Sequence, residues 1–130
     1  MKKFIILVSV FVLNFAATTF AQTNVPRARI ETMFKAFKPG EMELALDAFA
    51  KDSLVPKNIV SQAKSDAKAA ITLETPIIGF EFLQEQNVGE SVKRFSYVMK
   101  LSDRPLYWNF TFYKQTNAWV PLRMSFVEEP

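Results

Sequence analysis

The sequence predicts an α+β domain in which N-terminal helices pack on a curved four-stranded antiparallel meander. Three observations lead there. Residues 77–127 hold four short runs that alternate apolar and polar side chains, separated by three turn-forming clusters, as half-buried strands joined by hairpins do. Residues 27–71 instead repeat apolar side chains at spacings of three and four, the period of amphipathic helices. The chain contains neither cysteine nor histidine, so burial of apolar surface must hold the fold without disulfide or metal staples.

Residues 1–21 read as a secretory signal. Lys2 and Lys3 form the charged start, an apolar run extends from Phe4 to Phe15, and Thr19 and Ala21 put small side chains at the two positions a signal peptidase needs. Cleavage after Ala21 is expected, leaving residues 22–130 as one periplasmic or secreted domain. The run is interrupted by Asn14 and is shorter than the roughly 20 residues of a spanning helix, so no membrane association is expected after cleavage. Without Lys2 and Lys3, the 16 basic side chains of the chain fall to 14 against 13 acidic ones. That balance lacks the footprint of a nucleic-acid binder.

Ile30, Met33, Phe34 and Phe37 form the stripe of a first helix, which Pro39 and Gly40 end. Met42, Ala45, Leu46 and Phe49 repeat the pattern in a second. Pro56 is placed to open a third helix reaching about Ala70, with Ile59, Val60, Ala63 and Ala67 on one side and Lys57, Lys64 and Lys68 on a solvated one.

Closing the sheet with the simplest loops assigns its registers. A loop at residues 87–90 sets Phe82 opposite Phe95, Phe80 opposite Tyr97 and Ile78 opposite Met99. A loop at 102–105 sets Phe95 against Phe112, Tyr97 against Phe110, Met99 against Trp108 and Leu101 against Leu106. A loop at 114–118 sets Phe112 against Val120, Phe110 against Leu122, Trp108 against Met124 and Leu106 against Phe126. Every pair is apolar, so the three turns agree on one inner face. The other face then carries Leu83, Arg94, Tyr113 and Trp119 in one row, with Glu81, Ser96, Thr111 and Pro121 in the next. Gly79, Val98, Asn109 and Arg123 form a third row, followed by Lys100, Tyr107 and Ser125. Arg94, Tyr113 and Trp119 would form a cross-strand cluster of a cation and two rings.

Tyr97, the turn at Arg104, Pro105 and Leu106, Trp108 with Phe110, the run Phe112, Tyr113 and Lys114, and Trp119 resemble exported bacterial members of the NTF2-like superfamily of cystatin-like α+β folds. The resemblance spans the mature chain but rests on core and turn residues. It implies a cone whose interior can enclose a pocket and whose outer sheet face often dimerises. It also implies that an enzyme of this fold places an acid or base inside the cone.

The residue inventory narrows the chemistry. Without histidine or cysteine there is no Ser-His-Asp set, no cysteine nucleophile and no conventional zinc site. No glycine-rich phosphate loop is present, and neither a cofactor nor a metal is expected. The registers turn Glu81 and Glu85 outward, so no strand carboxylate faces the interior. The expectation is a non-catalytic exported binding module. It would take a small apolar ligand among Phe34, Phe80, Tyr97, Trp108 and Phe110, or a protein, including a second copy, on an outer face carrying Arg94, Tyr107, Tyr113, Trp119 and Arg123. The alternative is a cofactor-independent isomerase, dehydratase or hydrolase using Tyr97 and a helix carboxylate. An assembly element of a larger envelope complex is a third reading.

Overall fold

Three helices precede one four-stranded sheet in a computed structural model that describes residues 15–129, with side chains described from Val25 onward. Most of the expected leader therefore lies outside the described residues. The helices are α1 (Phe15–Lys35), α2 (Met42–Ala50) and α3 (Lys57–Ala70), and the strands are β1 (Ile77–Val88), β2 (Val92–Leu101), β3 (Pro105–Gln115) and β4 (Ala118–Val127). The strands lie in the order β1-β2-β3-β4, every pair antiparallel. Among the described residues no helix is long and apolar enough to cross a membrane.

The helical stripes are buried where their spacing placed them. Ile30, Met33, Phe34 and Phe37 from the first helical segment and Met42, Ala45, Leu46 and Phe49 from α2 join one core with Phe95, Tyr97, Met99, Trp108, Phe110 and Phe112. Ile59 is the exception in α3 and stays 37% exposed. Arg29 binds α1 to α2: its guanidinium donates to the Phe49 carbonyl from Nε at 3.0 Å and from Nη2 at 2.6 Å, and to the Lys51 carbonyl. These are among the carbonyls a helix leaves unpaired at its C-terminus. Lys64 pairs with Asp47 at 2.7 Å and Lys68 pairs with Glu43, joining α2 to α3 across a hydrated surface.

The expected registers are corrected at all three hairpins. Between β2 and β3 the pairing is displaced by two residues: Phe95 faces Phe110, Tyr97 faces Trp108 and Met99 faces Leu106. Residues 101–104 make that turn, and the Leu101 N–H donates to the Arg104 carbonyl at 2.9 Å. A displacement of two keeps every side chain on its own face, because strands alternate with period two. In β1 the turn falls later, with Val88 paired to Val92 around Gly89, whose φ of +75° favours glycine. Phe80 consequently faces Met99 and Phe82 faces Tyr97, while Ile78 is 67% exposed rather than opposite Met99.

Register irregularities at the two edge strands change more than the pairing. One falls between Phe82 and Gln84, so Leu83 has no partner and Glu85 then lies opposite Phe95. A single inserted residue reverses the faces beyond it, which turns Glu85 toward the helices, not outward. In β4, Phe112 pairs with Pro121 but Phe110 pairs with Met124, leaving Leu122 as the extra residue. Pro121 is therefore fully buried, and Trp119, opposite Lys114, sits on the helix side of the sheet. The Leu54 N–H donates to the Pro121 carbonyl at 2.8 Å and covers part of this edge.

Candidate functional site

The five proposed lining residues do meet, and they fill the space between them. Phe34 projects from α1 into the middle of the sheet, its ring centroid 5.3 Å from Phe80, 5.4 Å from Tyr97, 5.5 Å from Trp108 and 5.8 Å from Phe110. Trp108 stacks on Phe110 at 5.7 Å and meets Phe126 at 4.5 Å. Separations of 4.5–7 Å are those of aromatic pairs in contact. Tyr97, Trp108 and Phe110 are at most 1% exposed, as core side chains are.

A polar cluster borders this core at Tyr97. The Arg27 guanidinium carbon lies 3.9 Å from the centre of the Phe82 ring, which packs edge-on against Tyr97 at 5.4 Å. The buried Tyr97 hydroxyl and Arg27 Nε both lack a hydrogen-bond partner among the described residues. Burial pushes the phenol above its ordinary pKa; the neighbouring Arg27 opposes the rise, and the Glu31 and Glu85 carboxylates add to it. Glu85 is held 3.4 Å from Lys93, whose ammonium lies 5.1 Å from the centre of the Trp119 ring. A phenol, a guanidinium and two carboxylates thus border the inner face. Glu85 was hidden from sequence reasoning by the Leu83 irregularity, and Arg27 and Glu31 because they lie beside the apolar stripe of their helix.

The outer face holds four of the five residues assigned to it. Arg94, Thr111 and Arg123 stand in register across β2, β3 and β4, with Gln86 beside Arg94 on β1. Gln84, Ser96, Asn109 and Ser125 form the adjoining row, and Ser96 Oγ donates to Asn109 Oδ1 at 2.9 Å. Tyr113 lies in an apolar row between Val92 and Val120, and Tyr107 lies between Val98 and Val127. The expected cluster of Arg94, Tyr113 and Trp119 does not form, because the β4 irregularity moves Trp119 to the other face. Among the described residues no group of three or more acidic side chains could hold a metal ion.

Comparison with known proteins adds a likeness of fold. A crystal structure of a DUF4783 family protein from Bacteroides ovatus is similar over 76% of this chain and 94% of its own, with a TM-score of 0.51 and 13% sequence identity. At that identity the likeness concerns the α+β architecture alone. No protein-family model and no curated protein matches the sequence.

Proposed function

We propose that this chain is a non-catalytic exported binding module of the NTF2-like type whose working surface is the outer face of its sheet. One observation carries the reading: the inner face is closed by Phe34 against Phe80, Tyr97, Trp108 and Phe110, whereas the outer face presents Arg94 and Arg123 with no ion-pair partner among the described residues. A pocket for a small apolar ligand needs a concavity, and the inner rings occupy that place. The helix-before-meander architecture and the likeness to the DUF4783 structure support the fold part of the proposal. The leader motif supports export.

Native mass spectrometry of the protein recovered from a bacterial periplasm tests it. A bound mass or a dimer is expected, and it should be lost in Arg94→Glu with Tyr113→Glu while the circular dichroism spectrum is kept. A bare monomer throughout would contradict the proposal.

A catalytic reading draws support from one specific observation, the inward turn of Glu85, which with Glu31 lies near enough to raise the pKa of the Tyr97 phenol. It requires the Tyr97 hydroxyl to donate to a substrate. Its discriminating measurement is a screen for isomerase, dehydratase and hydrolase activity in which any turnover is abolished by Tyr97→Phe.

A further inference from the structure

We propose that the depression on the outer sheet face binds the carboxylates of an acidic saccharide, with Arg94 and Arg123 as paired anion-recognising forks. The inference rests on the binding reading above and names its ligand class. The depression encloses about 350 Å3, within the range of small-ligand sites. Its shape follows from side-chain size: short Ser96, Asn109 and Thr111 line its centre on β2 and β3, and Gln84, Arg94 and Arg123 form a longer rim.

The chemistry of this lining is one-sided. It contains two guanidinium groups and no carboxylate. Glu81, on the same face, is already engaged by Lys100 at 3.1 Å. Planar guanidinium groups match carboxylates through two parallel hydrogen bonds. Arg94 and Arg123 flank Thr111 in register, two strand spacings or roughly 10 Å apart at the backbone, a span that the carboxylates of a short uronate chain can bridge. In the adjoining row the Asn109 amide group, held by Ser96 through its oxygen, keeps its N–H donors free. Amides and hydroxyls beside cations suit a ligand rich in hydroxyls and carrying acid groups.

Two other occupants fit less well. A peptide joining as an extra strand needs unpaired backbone, but the centre of the depression lies over β2 and β3, which are paired on both sides, and its one aromatic neighbour, Phe110, turns its ring into the core. A second copy whose two-fold axis passed through the depression would set the Arg94 and Arg123 pair against its own like charges, so a dimer on this face would use the apolar rows of Tyr113 and Tyr107 instead.

Calorimetry with the exported protein at low ionic strength tests the proposal, using trigalacturonate, its fully methyl-esterified form and pentaglutamate. Trigalacturonate should bind and its ester should not. Arg94→Gln and Arg123→Gln should each weaken binding by about tenfold, the scale of one lost charge-assisted pair, while Lys57→Gln leaves it unchanged. Failure of trigalacturonate to bind, binding by either arginine variant as tight as the parent's, or pentaglutamate binding as tightly as trigalacturonate would each overturn the inference. If saccharide binding fails but the bound mass or dimer still depends on Arg94 and Tyr113, the binding-module reading stands and this inference alone falls. If both fail, both readings fall.

Discussion

Burying a poorly satisfied phenol costs roughly 1–3 kcal/mol, and Tyr97, whose hydroxyl has only the Arg27 guanidinium beside it, bears part of that burden at the centre of the sheet. If the residue serves packing alone, Tyr97→Phe keeps the ring contacts and removes the poorly satisfied hydroxyl. Chemical denaturation of that variant is expected to show about 1 kcal/mol more stability; a clear loss would mean that the hydroxyl has an essential partner. The raised pKa also fixes a pH dependence. An acid whose folded pKa lies above its unfolded value of 10.0 holds its proton longer in the native state, so stability is complete below that pH and falls as pH rises through the folded value. Urea midpoints measured above pH 10 should therefore decline in the parent and decline less in Tyr97→Phe. Arg29 is the opposite case, a charged side chain whose Nε and Nη2 both donate to carbonyls. Arg29→Ala should destabilise the fold by about 2 kcal/mol, the scale of hydrogen bonds made by a charged group, read as a lower denaturant midpoint at constant slope.

At the scale of elements, the β3–β4 hairpin is a place where the chain accepts strain. Gln115 pairs with Ala118, so residues 116–117 make the whole turn, and Thr116 takes a φ of +49°. Positive φ is unfavourable for a β-branched residue and costs on the order of 1–3 kcal/mol. Thr116→Gly is expected to raise the thermal midpoint, with a gain of about 0.5–1 kcal/mol after the entropy cost of glycine. A lower midpoint would show that the threonine side chain stabilises the turn by contacts that outweigh the strain. The sheet also shows what the sequence could reveal. The alternation in β2 and β3 assigned faces correctly even though the pairing was displaced, because a two-residue displacement preserves face. The irregularities at Leu83 and Leu122 have no marker in composition: neither is a glycine, and both look like ordinary strand residues. They sent Glu85, Pro121 and Trp119 to the face opposite the one expected.

For the whole molecule, the proposed function assigns packing to one face of the sheet and binding to the other. Helical stripes readable from their spacing supply Phe34 and Phe49, which seal the inner face against β1, β2 and β3. Whether such a face encloses a cavity depends on how closely rings interlock in three dimensions, which periodicity does not encode. Phe34→Ala should cost about 3–5 kcal/mol, as expected for emptying a buried aromatic site, without removing the binding proposed for the other face. The outer row of Arg94, Thr111 and Arg123 emerged only once the Leu122 irregularity set Arg123 level with Thr111. The most direct measurement of this division is an amide NMR titration with trigalacturonate. Shifts confined to the outer-face residues Gln84, Arg94, Ser96, Thr111 and Arg123 are expected. Shifts centred on Phe34, Tyr97 and Trp108, or none at all, would contradict this division.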